Sequence, residues 1–200
     1  MNPTIDLTID YGEIALDSII EDDLISEIPI VKTVATVYKI GAAIKERIIL
    51  KNLLVFFKEF HSGDVEKKKL ANFHHKLLSN ENYRKKICEI IIIYNERFTE
   101  TIKSKVVAQL LLSHINQELE FKNFNNLVMI VDSIHPEGIK ELANFGRDKK
   151  WGNISLQKGV DMSNASLITA SGIANISGHL IKITEMGKEL FQFGLKNLYK

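Results

Sequence analysis

The sequence predicts a mainly α-helical protein, a helical bundle followed by a small C-terminal α+β module with a two-stranded hairpin. Two observations lead to this prediction. Apolar residues recur at three- and four-residue spacing through most of the chain, which is the period of helices with a buried face. Near the C-terminus, residues 172–176 and 179–183 form two short apolar-rich runs separated by Ser177 and Gly178, a spacing typical of a tight β-turn.

The first thirty residues form an acidic segment. They contain eight Asp or Glu residues and no Lys or Arg, so they carry a charge of −8. Because the whole chain carries +1, the remaining residues carry +9. Apolar residues between Ile14 and Ile25 follow a helical period, and Pro29 is expected to end that helix. We therefore predict an acidic N-terminal arm with a short helix over residues 1–30.

Residues 31–120 are predicted to form a helical core. The stretch 32–60 is strongly apolar with one narrow polar stripe, which predicts a helix buried around most of its circumference. Lys and Glu side chains interrupt every window of about 20 residues, so a membrane span is not predicted. An alternative is that segment 28–60 lies on a membrane surface or against a partner. Its candidate contacts are the apolar residues Ile30, Val31, Val34, Val37, Phe56 and Phe57.

Three further helices are expected in this core, over residues 65–78, 83–97 and 100–114. Residues 79–82 are the predicted break between the first two helices. The last two form a predicted helical hairpin around the connector 95–99. Two lysine-rich clusters, 67–69 and 84–86, lie near acidic residues and are interpreted as solvated helix faces.

Residues 121–200 are predicted to form the C-terminal module. A helix is expected from about residue 121, and Pro136 begins a second, short helix that Gly146 ends. The polar stretch 147–161 is expected to be a long loop or an irregular strand. In the hairpin, Ile181 and Ile183 share one face, and Thr184 then caps the last helix.

Two sets of residues carry a resemblance to known proteins. Residues 28–47 and the two helices within 102–145 resemble a bacterial family known only as uncharacterised. Residues 166–173 before the hairpin and 183–190 after it resemble the closing part of a winged-helix module, in the order helix, glycine, strand, turn, strand, capped helix. The resemblance covers most of the chain. It implies a helical body with a winged-helix-like end, and it brings no catalytic residue with it.

The charges of this module argue against the nucleic-acid binding for which winged helices are often used. The stretch 160–171 before the hairpin contains no Lys or Arg, and neither does the turn of the hairpin. Cations that neutralise phosphates supply most of the non-specific affinity for nucleic acids. Contact with a protein partner, or self-association, is therefore the preferred prediction. Nucleic-acid binding is an alternative, with the candidate contacts Arg147, Lys149, Lys150, Lys158 and Lys182.

No catalytic, cofactor-binding or metal site is predicted. The single cysteine, Cys88, lies among isoleucines, and the six histidines lack the spacing of metal ligands. No nucleophile elbow, phosphate-binding glycine loop or dinucleotide fingerprint occurs. We therefore expect a non-enzyme without a cofactor or a small-molecule substrate. The first residues show no secretory signal, which leads to the expectation of a cytoplasmic protein.

Overall fold

The computed structural model describes residues 44–152, 154–155 and 162–199. This part of the chain is mainly helical, as predicted, with eight α-helices, one π-helical turn and a three-stranded antiparallel sheet near the C-terminus. It divides into two compact units, one ending at Ser104 and the other beginning at Lys105. The predicted acidic arm and the candidate contacts Ile30, Val31, Val34 and Val37 lie outside the described residues.

The first unit is built from helices in sequence order. They are α1 (Ile44–Ser62), α2 (Lys67–Ser79), α3 (Glu81–Arg97) and the start of α4 (Thr101–Ile115). Both α1 and α2 pack against α3. The predicted break 79–82 is reduced to Asn80, whose side chain accepts a hydrogen bond from the backbone N–H of Tyr83 at 2.9 Å. An asparagine cap satisfies one of the free N–H groups at the start of α3, so α3 begins earlier than expected.

An aromatic cluster on α1 forms part of the core of this unit. The Phe56 ring centroid lies 5.4 Å from that of Phe57 and 6.2 Å from that of Phe60. Phe56 and Phe57 are only 1% and 3% exposed. Neither ring therefore offers accessible surface to a membrane or a partner in this conformation, because the broad apolar circumference of α1 is packed against protein instead.

A buried asparagine satisfies the end of α3. The Asn52 side-chain amide donates to the backbone oxygen of Asn95 at 3.0 Å and to that of Phe98 at 2.7 Å. Asn52 is 1% exposed. Carbonyl groups at a helix C-terminus lack partners within the helix, so this side chain removes a desolvation cost at the end of α3.

The second unit begins inside α4 and continues through α5 (Phe121–Ser133), α6 (Pro136–Arg147) and the C-terminal elements. The boundary between the two units falls within the predicted core, 31–120, whose bounds stay a prediction. Contacts join α4 to the C-terminal end: Ser113 Oγ donates to the backbone oxygen of Phe193 at 3.3 Å, and the Asn197 amide donates to Gln109 at 3.2 Å. Such pairings between distant residues leave no local pattern in the sequence.

Gly146 does not end its helix as predicted. It lies within α6, and a Cβ atom added there would overlap the ring of Phe191. Phe191 begins the π-helical turn Phe191–Leu195, which follows the last α-helix, named α8 (Glu185–Leu190). The glycine is thus required by the close approach of an aromatic ring, and α6 continues to Arg147.

The sheet contains one strand more than the predicted hairpin. Its strands are β1 (Ile154–Ser155), β2 (Ala174–Ser177) and β3 (Leu180–Ile183), in the spatial order β1-β3-β2. Helix α7 (Met162–Thr169) lies between β1 and β2 in the chain. A strand of two residues has no detectable period, which is why β1 was not predicted from the polar stretch 147–161.

The hairpin turn lies one residue later than predicted. Ser177 pairs with Leu180, so the two turn residues are Gly178 and His179, and Gly178 has a φ of 59°. Glycine adopts this left-handed conformation without a steric cost. The predicted shared face is confirmed, because Ile181 and Ile183 are both buried.

The predicted cap of the last helix is also confirmed. The backbone N–H of Gly187 donates to Thr184 Oγ1 at 3.2 Å, and Thr184 is the N-cap of α8. The Thr184 hydroxyl in turn donates to the backbone oxygen of Gly172 at 3.1 Å. One side chain thus joins the start of α8 to the glycine before β2, which fixes the hairpin at both of its ends.

Candidate functional site on the C-terminal sheet

The hairpin of β2 and β3 exposes an outer face with little charge. We call residues 174–183 the wing. Directly paired residues share one face of a sheet, so Ser155, Leu180 and Ser177 lie side by side on the face opposite Ile181. Leu180 is 40% exposed. Lys182 is the single cation of the wing sequence.

Among the described residues, β2 is an edge strand of the sheet. The backbone N–H of Ile183 donates to the backbone oxygen of Trp151 at 3.2 Å and not to β2, which makes Ala174 and Ile183 a non-hydrogen-bonded pair. The next such pair is Ile176 and Ile181. Ala174 and Ile176 therefore direct their N–H and C=O groups away from β3. Ala174 is only 2% exposed, so its backbone groups are buried, whereas Ile176 is 40% exposed and presents both apolar surface and backbone polar groups at the edge.

Helix α7 precedes the wing and contains no charged residue. It packs against α6, where Gly138 lets the two backbones approach: a Cβ on Gly138 would lie 3.1 Å from the backbone oxygen of Leu167. Ile168 is fully buried. The side chains that read base edges in a duplex groove are Arg, Lys, Asn and Gln, and of these α7 contains one, Asn164.

A cationic surface lies beside the wing. We call Arg147, Lys149, Lys150 and Lys182 the basic edge. All four residues are exposed. Arg147 is the last residue of α6, and Lys149 and Lys150 follow it. The hydrogen bond between Trp151 and Ile183 joins the end of this loop to β3, which carries Lys182. Four of the five predicted nucleic-acid contacts are thus exposed residues of α6, the loop after it and the strand bonded to that loop, whereas Lys158 lies outside the described residues.

The loop of the basic edge is held by its own backbone. The N–H of Lys149 donates to the oxygen of Gly146 at 3.1 Å, and the N–H of Lys150 donates to that of Phe145 at 2.9 Å. Lys149 adopts a φ of 52°, a left-handed conformation that disfavours residues with a Cβ and is usually occupied by glycine at a helix C-terminus.

Two cations of the basic edge have local partners and two do not. Arg147 donates to Asn144 Oδ1 at 2.6 Å, and Lys150 Nζ lies 2.6 Å from an Asp148 carboxylate oxygen. The hydrogen bond from Lys150 and its charge lower the pKa of Asp148. Within the described part of the chain, no ion pair is found for Lys149 or Lys182.

Trp151 is a residue that the sequence-based predictions did not include. Its ring is half-buried, and its centroid lies 5.4 Å from that of Phe191 at an interplanar angle of 60°. The signal in the sequence was its position directly after Arg147, Lys149 and Lys150, since aromatic rings among cations are typical of single-strand binding surfaces.

Other features of the described residues concern metal ligands, the single cysteine and membrane spans. No three His, Cys, Asp or Glu side chains there are grouped to hold a metal ion. Burial raises the pKa of the Cys88 thiol, which disfavours the reactive thiolate. In residues 44–152, 154–155 and 162–199, no helix has the length and apolarity to cross a bilayer.

Comparisons with known proteins give no match. No protein-family model matches the chain, and no curated protein or solved structure is significantly similar to it. The surface chemistry of the wing and the basic edge is therefore the basis for inferring a function.

Proposed function

We propose that this protein is a non-catalytic interaction protein whose winged-helix-like C-terminal module contacts another protein, with a second copy of the chain as the preferred partner. The order of α7, β2, a tight turn, β3 and the Thr184-capped α8 supports the winged-helix-like description. The pairing of β3 with the earlier strand β1 extends the hairpin into a sheet. This description concerns shape, and the function depends on the surface chemistry.

The observation that carries the proposal is the partly apolar end of the wing around its turn, residues 174–181, which contains no Lys or Arg. Ile176 and Leu180 are each 40% exposed there, on opposite faces of the hairpin because Ile176 pairs with the buried Ile181. The flanking residues Asn175, Ser177 and Gly178 are uncharged and exposed. Protein interfaces are depleted of charge at their centre and enriched in apolar contacts, so this surface suits a protein partner better than a polyanion.

Backbone groups exposed at the edge of β2, at Ile176, can add hydrogen bonds to such a contact. Backbone N–H and C=O groups at a sheet edge are available to pair with a strand of another chain. Edges that avoid this pairing carry lysine, proline or a bulge, and the β2 sequence Ala-Asn-Ile-Ser contains neither lysine nor proline. Two copies of this strand also meet without charge repulsion, which favours self-association over pairing with a charged segment.

The test is the mass of the full chain in solution, measured by light scattering over a wide range of concentrations. We expect self-association that Leu180→Lys or Ile176→Lys weakens roughly tenfold or more, because a buried unpaired ammonium at an interface is costly. The matched control is Leu78→Lys, which adds the same charge to a residue of α2 that is 57% exposed. It should leave the association unchanged.

Affinity purification with the same variants tests a different protein partner. The proposal is overturned if the wild-type chain stays monomeric at every concentration and if the proteins it retains are also retained by both wing variants. If Leu180→Lys and Ile176→Lys fail to retain proteins that the wild type and Leu78→Lys retain, the wing binds a partner other than a second copy.

A further inference from the structure

We infer that the basic edge is a second binding site on the module, with single-stranded nucleic acid as its ligand: Lys149 and Lys182 contact phosphates and Trp151 stacks on a base. The inference goes beyond the proposed function, because it concerns another surface and another class of partner. Its residues are neighbours through backbone contacts between the loop after α6 and strand β3.

The conformation of Lys149 is the first argument. At a φ of 52°, glycine would avoid the steric cost that lysine carries. A cation near a helix C-terminus interacts favourably with the helix dipole, but Arg147 and Lys150 already supply that charge at the end of α6. Lysine in place of glycine therefore adds an exposed ammonium group that the local fold does not require.

Pre-organisation is the second argument. Backbone hydrogen bonds fix Lys149 and Lys150 to the last turn of α6, and the bond between Trp151 and Ile183 fixes the loop to β3. Ligand binding therefore does not require ordering of the loop backbone, which lowers the entropic cost of binding. The ammonium groups of Lys149 and Lys182 have no ion pair to break within the described residues.

Trp151 favours a single-stranded ligand over a double-stranded one. Its ring is half-buried and braced by Phe191, which is itself buried. Aromatic side chains among cations bind single strands because unpaired bases stack on them regardless of sequence. Bases within a duplex are not available for stacking, and the uncharged helix α7 supplies no Arg or Lys for reading a groove.

The experiment uses the full chain and a thymidine homopolymer of fifteen or more nucleotides. Trp151 is the single tryptophan of the sequence, so its fluorescence reports on this site alone. We expect saturable quenching that weakens with salt. Two to four phosphate contacts predict a slope of log affinity against log salt of roughly −1.4 to −2.8 for a single strand.

Substitutions of Lys149 and Lys182 test whether binding is lost while the fold is retained. Lys149→Gly suits the local φ, so the fold is retained while one charge is lost. We expect weaker binding and a salt slope that is smaller in magnitude by about 0.7, and the same reduction for Lys182→Thr. The matched control is Lys68→Gln, which removes an exposed charge from α2 in the first unit and should leave binding unchanged.

The stacking step is tested with a labelled oligonucleotide, because the tryptophan itself is replaced. Trp151→Leu should weaken binding roughly 5- to 150-fold, the range for loss of one stacked base. Trp151→Phe keeps an aromatic ring against Phe191 and should retain most of the affinity. Thermal unfolding of each variant identifies any loss of binding that arises from a loss of structure.

Three results would overturn the inference: a duplex of equal length that binds as tightly as the single strand, Lys149→Gly and Lys182→Thr variants that bind like wild type, or a Lys68→Gln variant that binds more weakly than they do. The outcome is independent of the proposed function. The light-scattering mass of the Lys149→Gly variant should equal that of wild type whether or not the oligonucleotide binds.

Discussion

The turn end of the wing and the basic edge are joined through strand β3, yet their chemistry differs. The wing exposes isoleucine, leucine and small polar side chains, whereas the basic edge exposes four cations and part of an indole ring. A protein partner and a polyanion require different surfaces. The shape of this C-terminal module therefore does not identify its partner, because the charges of each surface decide which partner that surface can bind.

Phe191→Ala should destabilise the protein more than the other substitutions considered. Phe191 is 7% exposed, packs over Gly146 and braces Trp151. We expect the free energy of unfolding to fall by about 3–5 kcal/mol, the usual cost of removing a buried phenyl ring. Urea unfolding measures this change. A loss below about 1 kcal/mol would show that the loop of the basic edge does not depend on Phe191.

Gly146→Ala should have the next largest effect. The added methyl group would overlap the Phe191 ring, so either α6 or the π-helical turn must shift. Overpacking of this kind typically costs about 1–3 kcal/mol. The control is Ala143→Gly on the same helix, which creates no overlap. If Gly146→Ala were instead stabilising, as expected for glycine replaced in an open helix, the packing described here would be wrong.

Thr184→Ala tests the attachment of the wing. It removes the hydrogen bonds of the Thr184 hydroxyl with Gly187 and Gly172, and loss of an N-cap costs about 1 kcal/mol. Thr184→Ser keeps the hydroxyl and should be close to wild type. Thermal unfolding distinguishes them, and equal midpoints for both variants would contradict a capping role.

Lys149→Gly should have the smallest effect on folding and the opposite sign. Glycine relieves the left-handed strain, so we expect stability to change by about +1 kcal/mol or less, with part of the gain offset by greater freedom in the unfolded chain. Lys150→Gly, at a neighbouring position with ordinary φ, serves as the comparison and should not stabilise. A destabilised Lys149→Gly variant would show that lysine is retained there for folding and would remove one argument for the basic edge.

Much of the fold was predictable from local patterns. The helical period indicated the positions of α2 to α6, and alternation in residues 180–183 indicated which isoleucines are buried. The cap at Thr184 followed from its place between a strand and a helix. These features depend on neighbours within a few residues, which is the range over which a sequence pattern carries information.

The candidate site was predictable only in part. The cations after α6 and the charge-free stretch before the hairpin were visible in the sequence. Their adjacency to Lys182 was not, because it follows from the pairing of β3 with a two-residue strand and with the carbonyl of Trp151. The role of Gly146 was misassigned for the same reason: the ring that requires it comes from Phe191, far along the chain.

The sequence by itself determined the helical class, the hairpin, the uneven charge and the absence of cations in the stretch that precedes the hairpin, since each is a property of composition or of short periods. Tertiary structure decided the unit boundary at Ser104, the third strand, the burial of Phe56 and Phe57, and the assembly of the basic edge. The physical reason is that contacts between distant residues are selected by packing and backbone pairing, which no local pattern records.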